Sequence, residues 1–372
     1  MRIGLIARRF DPAGGGTERD LIVTARILAE AGHEVATFAA EIRGEFAGLR
    51  VIPVATPRTG RTLKLLAFAT RAADTARRGG AAIVLSFARI LDADILRSGG
   101  SAHASYVAAA RQWQSRAGAV AMALSLYHRA QMMIERRGFT SPRLRRTIAV
   151  SDLVRKDLVA TFGINPAATV TLYNGVDLLR FRPESRDSLR YAVRRDLRLT
   201  DQTPLIAFAG NGFARKGLRF LIEAWPAIDS GAQLVVAGTD RALPHYRKLA
   251  QRTGVGDRVH FLGVQTQIER IFAAADGFVL PSLFEPFGNV VMEAMAAGLP
   301  VLCSKACGAA ELFDPAMREL VIDDPTDLSA LVAGLNTLLR VKQDLRSVAR
   351  ATAEKFTWDA YGANLLKLIA SL

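Results

Sequence analysis

Short apolar runs separated by amphipathic stretches recur along the whole chain. Met1 to Ala7 predicts a buried strand, and the glycine loop Asp11 to Gly16 follows it. Thr17 is then placed to cap a helix, with Asp20 in its first turn, where a carboxylate suits the helix dipole. Leu21, Ala25, Leu28 and Ala29 mark one face of that helix, and Gly32 stops it. His33 to Phe38, Ala82 to Phe87 and Thr147 to Val150 predict further strands, with helical stretches between them. The alternation restarts in the second half. Pro204 to Gly210, Leu234 to Gly238, Val259 to Gly263, Gly277 to Leu280 and Pro300 to Cys303 predict strands. Leu218 to Ala227, Ile268 to Ala275 and Asn289 to Ala297 predict helices. Strands alternating with helices imply parallel, doubly wound α/β sheets, whose ligands bind beyond the carboxyl ends of the strands.

Length and composition narrow this picture. At 372 residues the chain exceeds what one core usually organises, so two lobes are expected, joined through an Arg- and Pro-containing connection near Asp177 to Asp201. Half of the residues are hydrophobic and 23% are charged, as in folded proteins. The N-terminal apolar run is too short for a secretory signal and leads into Arg8, Arg9 and Asp11. The apolar run around Ala117 to Tyr127 is well short of the ~20 residues that span a bilayer. A cytoplasmic protein is expected. Two cysteines, Cys303 and Cys307, exclude a disulfide framework and read as small core residues. No histidine, cysteine or acid spacing predicts a metal site or a cofactor.

The net charge of +14 favours anionic partners. No nucleic-acid-binding signature accompanies it. Between Ser101 and Thr147, Arg111, Arg116, Arg129, Arg136, Arg137, Arg143, Arg145 and Arg146 face the single acid Glu135. Aromatic and aliphatic residues interleave with these arginines, which predicts a segment lying on a membrane surface. The bland alternative is a core helix whose arginine side points to water.

The segment Phe284-Glu285-Pro286-Phe287-Gly288-Asn289-Val290-Val291-Met292-Glu293 follows an apolar strand and opens a helix ending at Gly298-Leu299-Pro300. The free amides of Gly288, Asn289 and Val290 make an anion site at that helix start. On one continuous helix Glu285 and Glu293 would lie ~12 Å and ~80° apart, so they suit two contacts along an extended ligand rather than a proton-sharing pair. Arg215 and Lys216, after another strand, can stabilise charge growing on a diphosphate leaving group. In Gly14-Gly15-Gly16, the glycines allow close backbone approach to a phosphate or sugar. His103 follows a loop of small residues, whereas His128, His245 and His260 are scattered.

Glu285 and Glu293, in this setting, resemble the E-x7-E motif of retaining GT-B glycosyltransferases of family 4, and the resemblance covers essentially the whole chain. It implies two Rossmann-like domains facing across a cleft. Residues 1–176, with a terminal helix over 356–372 crossing back, would form the acceptor side, and 177–355 the nucleotide-sugar side. It further implies donor contacts from Gly15, Gly16, Arg215, Lys216, Phe287, Gly288, Asn289, Val290 and Glu293, with catalytic or positioning roles for Glu285, His103 and Asp20. The family often has Arg-x4-Lys, whereas here Asn211 holds the first position and the arginine adjoins the lysine. Asn174-Gly175-Val176-Asp177 and Phe356-Thr357-Trp358 resemble structural elements of the same enzymes. Phe10-Asp11-Pro12, Gly15 to Asp20, Asp92 to Gly100 and His103-Ala104-Ser105-Tyr106 resemble the lipopolysaccharide core glucosyltransferase I branch. That narrower resemblance implies transfer of glucose from UDP-glucose to an inner-core heptose of an anionic glycolipid. It also implies peripheral attachment to the inner face of the cytoplasmic membrane. A family 4 enzyme with another acceptor, and a silent nucleotide-sugar-binding protein, are the competing expectations.

Overall fold

The computed structural model describes residues 1–183, 186–228, 231–340 and 344–372. Its first compact unit contains Met1–Asn174 and Trp358–Leu372, and its second contains Gly175–Thr357.

The first unit runs β1 (Arg2–Phe10), α1 (Gly16–Glu30), β2 (Glu34–Ile42), β3 (Arg50–Pro53), α2 (Arg61–Arg78), β4 (Ile83–Ser86) and β5 (Ile95–Ser98). It continues with α3 (His103–Ala109), α4 (Arg116–Leu124), α5 (Leu126–Phe139), β6 (Arg146–Ala149), α6 (Asp152–Phe162) and β7 (Thr169–Thr171). The strands form one sheet in the order β3-β2-β1-β4-β5-β6-β7, with every pair parallel. Ile3, Leu5 and Ile6 of β1 are fully buried, as a strand covered on both faces requires.

The second unit runs α7 (Arg186–Asp196), β8 (Leu205–Ala209), α8 (Leu218–Ala224), β9 (Gln233–Ala237), α9 (Leu243–Arg252), β10 (Val259–Gly263) and α10 (Ile268–Ala274). Then come β11 (Gly277–Leu280), α11 (Asn289–Ala296), β12 (Val301–Ser304), β13 (Val321–Ile322), α12 (Leu328–Arg340) and α13 (Asp344–Glu354). Its parallel sheet has the order β10-β9-β8-β11-β12-β13. The last helix, α14 (Trp358–Ala370), returns to the first unit, where Tyr361, Leu365 and Ile369 join the core of β1 and α1. The expected connection near 177–201 lies within the second unit, apart from residues 184 and 185, which fall outside the described residues.

Both sheets are thus doubly wound α/β, with a topological switch beside the first strand, between β1 and β4 and between β8 and β11. The loops that leave these strands are where side chains can converge on a ligand. One local expectation fails. Thr17 does not cap α1; the cap is Gly15, and Glu18 is the acid of the first turn, bonded to Arg9 at 2.8 Å. Asp20, one residue past that turn, points inward to a charged partner. That burial outweighs any preference for the helix dipole.

Candidate functional site

In the second unit, the segment after β8 and the segment after β11 meet. Gly217, at φ +76°, lets the chain turn into α8, and a side chain there would strike the carbonyl of Pro281. This close approach brings Arg215 and Lys216 to Glu285. Arg215 Nη1 donates to Glu285 Oε2 at 3.0 Å and also to the Phe284 carbonyl. Lys216 Nζ donates to the same carboxylate oxygen at 2.5 Å. Lys216 is buried, and the side chain of Glu285 is only 12% exposed. Burial pushes the Glu285 carboxyl up, but Lys216 and then Arg215 outweigh it and hold it below its ordinary value. The result is two cations on one carboxylate.

The Glu285 loop is clamped by backbone bonds. Glu285 N donates to the Ala306 carbonyl, Gly308 N to the Glu285 carbonyl, and Ala309 N to the Phe287 carbonyl, at 2.8–2.9 Å. The Cys307 thiol donates to the Phe287 carbonyl at 3.1 Å. Gly288, at φ +92°, caps α11, and an added Cβ would lie 2.8 Å from the Cys307 sulfur. Asn289 and Val290 follow as the first residues of α11, and buried Glu293 lies one turn further on. Glu285 stands in the loop before the helix, so the two glutamates do not share one continuous helix. Asn211, which replaces the family's arginine, accepts from Thr239 N at 3.0 Å and so ties the ends of β8 and β9 together.

In the first unit, the ends of β1, β4 and β5 with α2 and α5 enclose a cavity of about 550 Å³. Its floor carries a buried polar cluster. Arg97 Nη2 donates to Asp20 Oδ2 at 2.9 Å and to Asn174 Oδ1 at 2.6 Å, and Asn174 Nδ2 donates to Asp20 at 3.0 Å. Asp20 therefore neutralises Arg97. His103 opens α3; its backbone N donates to Glu135 Oε2 at 2.6 Å, and its Nε2 lies 2.8 Å from Nδ1 of His128. Burial first, then Arg89 and His128, lower the His103 pKa to about 4, so the ring is neutral at neutral pH. Glu135 also accepts from Arg89, and burial raises its pKa despite that partner.

Gly15 caps α1 and Gly16 opens it, and Glu18 of the same turn lines the cavity. Three members of this region were not legible as a site. His128 is one of three scattered histidines along the chain, but α5 carries it to His103. Arg97 had a signal, a cation directly after the apolar pair Ile95-Leu96 inside a strand. Asn174 lies 77 residues from Arg97, and only the sheet brings them together.

Arg111, Arg116, Arg129, Arg136 and Arg137 are all exposed. Glu135, the one acid of the segment, is turned inward and does not neutralise them. The segment divides. α5 buries Tyr127, Ala130, Ile134 and Phe139, whereas α4 buries only Ala119 and leaves Val120 and Leu124 exposed beside Arg111 and Arg116. α5 thus has the buried face of a core helix, and α4 does not. No described helix is long and apolar enough to cross a membrane, and the described residues hold no cluster of three metal-ligating side chains.

Comparison with known proteins agrees with these two folds. Residues 14–180 match the Glycosyltransferase Family 4 model, and residues 190–356 match Glycosyl transferases group 1. The lipopolysaccharide glucosyltransferase WaaG of Escherichia coli K12 is 25% identical over 84% of this chain and 82% of its own length. A crystal structure of WaaG superposes with a TM-score of 0.82 at 23% identity, covering 98% of both chains. D-inositol 3-phosphate glycosyltransferase 2 of Catenulispora acidiphila is 33% identical over 59% of this chain. The chain spans 54% of that relative's length and 57–61% of two further curated relatives. A structure of Anabaena HepE in complex with UDP and glucose superposes at a TM-score of 0.74, with 18% identity over 100% of this chain and 99% of that one. The chain therefore carries a glycosyltransferase family 4 domain followed by a glycosyl transferases group 1 domain, each on a Rossmann-like sheet of the GT-B type.

Proposed function

We propose that the protein transfers a hexose, with retention, from a nucleoside diphosphate sugar to a glycolipid acceptor. The observation that carries this reading is the buried Arg215–Lys216–Glu285 cluster next to the amides that open α11. Two cations fixed beside a helix start stabilise charge as it grows on a departing diphosphate, without reorganisation at the moment of bond breaking. Glu285 sets their position and lies beside the transferred sugar, and Glu293 takes the ribose hydroxyls. Gly15 and Gly16 allow close approach of backbone to the donor, and Phe287 shapes its site. The acceptor enters the cavity of the first unit, where His103, bonded through its backbone to the lining residue Glu135, helps to position it and Asp20 acts through Arg97. Its hydroxyl attacks on the face that the diphosphate leaves, and the departing phosphate oxygen takes the proton. No metal takes part in this scheme.

Glucose as the sugar and lipopolysaccharide as the acceptor are supported by the likeness to WaaG along most of the chain, and within that reading UDP-glucose is the donor and an inner-core heptose the acceptor site. The exposed α4 face with Arg111 and Arg116 suits contact with an anionic inner membrane leaflet, each arginine near the surface contributing about 1 kcal/mol. A phosphorylated inositol as acceptor is a second reading, favoured by the higher identity to the inositol 3-phosphate enzymes over a shorter stretch.

Purified protein incubated with labelled UDP-glucose and truncated lipopolysaccharide should yield an α-linked glucoside, and Glu293→Ala should abolish it. An inverted product would overturn the mechanism. Turnover only with inositol phosphate would replace the acceptor. Absence of a thermal shift with any nucleotide sugar would remove the transferase reading itself. Leu124→Asp should reduce sedimentation with anionic liposomes, and an unchanged bound fraction would remove the membrane assignment.

A further inference from the structure

The cavity of the first unit is lined by several cations, and most are neutralised at short range. Arg9 pairs with Glu18, Arg89 with Glu135 and Arg97 with Asp20. Arg8 and Arg61 differ. Among the described residues neither meets a carboxylate, and both converge on one side chain, Tyr127. Arg8, which lines the cavity, donates from Nη1 to the Tyr127 hydroxyl at 2.8 Å. The Arg61 guanidinium carbon sits 3.6 Å from the centre of the same ring.

Their placement has a structural origin. Arg8 lies near the end of β1, two residues past the last one paired with β4. Arg61 opens α2, and Leu65, one turn on, lines the cavity; Tyr127 is near the start of α5, and Gln131, one turn on, lines it too. Of the three residues Arg8 lines the cavity itself, and Arg61 and Tyr127 stand one helical turn from its lining. A cation in the first turn of a helix is at the end the dipole disfavours, so Arg61 does not stabilise α2. Both guanidiniums are exposed and lack a carboxylate partner among the described residues, and helix stability does not require Arg61 at this end of α2. Tyr127 is buried and its oxygen accepts from Arg8, which leaves its own O–H to donate. Burial raises the phenol's pKa, but the two arginines outweigh it and leave it below the ordinary value. The remaining acid at the rim is Glu41, which neighbours Arg9 across the strand pair β1–β2, on the far side of β1 from β4.

We infer that Arg8, Arg61 and Tyr127 form an oxyanion subsite that grips a phosphate carried by the acceptor sugar. Two guanidiniums gathered on one tyrosine, together with its hydroxyl, supply donors of the kind that bind a tetrahedral anion. A carboxylate on a sugar acid would use the same donors. This inference rests on the cavity being the acceptor site of a glycosyltransferase and adds the class of acceptor it selects.

The test measures binding of glucose 6-phosphate, glucuronate, inorganic phosphate and glucose to the full-length protein by calorimetry. Arg8→Gln, Arg61→Gln and Tyr127→Phe are compared, with melting curves of each variant to verify folding and UDP binding as a separate readout. Glucose 6-phosphate should bind at least about tenfold tighter than glucose. Each arginine variant should lose about tenfold of that affinity, Tyr127→Phe less, and rising salt should weaken it. UDP binding should stay unchanged in all three. Tighter binding of glucuronate, with the same dependence on Arg8 and Arg61, would assign the subsite to a sugar acid. Equal affinity for glucose 6-phosphate and glucose, or a phosphate preference that survives in folded Arg8→Gln and Arg61→Gln, would overturn the inference. Loss of UDP binding in the wild type with phosphate selectivity intact would instead remove the transferase reading and leave the subsite standing.

Discussion

Replacing Glu285 by glutamine keeps the shape of the loop and removes the charge that holds two cations together. At an effective dielectric of ~20, contacts of 3.0 and 2.5 Å amount to roughly 5–7 kcal/mol each before desolvation is subtracted. Removing one partner of a buried pair costs about 3–5 kcal/mol net, because the other charge is left buried without compensation. Lys216, with its side chain only 9% exposed, carries that full penalty, whereas Arg215, 25% exposed, can turn partly to water. A loss of about 3–5 kcal/mol is therefore expected, which lowers Tm by roughly 6–20 °C for a unit of this size. The same change has an opposite effect on nucleotide binding. In the wild type a diphosphate must share Arg215 and Lys216 with Glu285; in Glu285→Gln it meets both uncompensated. UDP should thus raise the Tm of the variant by more than it raises that of the wild type, while sugar transfer falls. Paired melting curves with and without UDP measure both effects. A variant of unchanged Tm whose UDP shift has disappeared would refute the reasoning, since Glu285 would then contact the nucleotide directly instead of organising its cations.

Gly288→Ala should cost roughly 1–3 kcal/mol from the left-handed backbone, and more from the clash with the Cys307 sulfur, and it should weaken UDP binding; denaturant unfolding and calorimetry measure these. Asp20→Ala should destabilise by about 3–5 kcal/mol, because Arg97 is left buried, and combining it with Arg97→Leu should recover much of the loss in a urea melt. His103 binds its proton less readily folded than unfolded, so the unfolded chain takes up more protons between about pH 6.5 and 4. Stability should fall as pH drops through that window, and His103→Phe should flatten that part of the profile of urea midpoints. Glu285, held low, adds stability above its ordinary pKa that disappears as pH falls further, through its lowered value.

The repeating strand and helix rhythm was enough to read both sheets, since a strand covered on both faces must be an apolar run such as Leu205–Ala209. β3, β7 and β13 did not stand out, because short strands at or near a sheet edge carry no such run. Arg215, Lys216, Glu285 and Gly288 were legible because a strand end, a glycine and a charge occur together within a few residues. Their joining into one buried cluster was not, because 69 residues separate Lys216 from Glu285. The first unit shows the same division more sharply. His103 was visible by its loop, but its partner His128 was not. Thr17 looked like a cap, yet Gly15 takes that place. Whether Asp20 faces solvent or Arg97 depends on where β5 lies in the sheet.

The elements, their parallel stacking and the strand ends from which chemistry can be done are legible along the chain. These follow from local periodicity and from the conformational limits of single residues. Which charges neutralise one another, and which meet no carboxylate among the described residues, is set by the fold. Arg97 and Arg8 look alike along the chain, but one is buried against Asp20 and the other stands with Arg61 over Tyr127. Electrostatic pairing depends on distance in space and on exclusion of water, and neither is encoded in the spacing of residues along the chain.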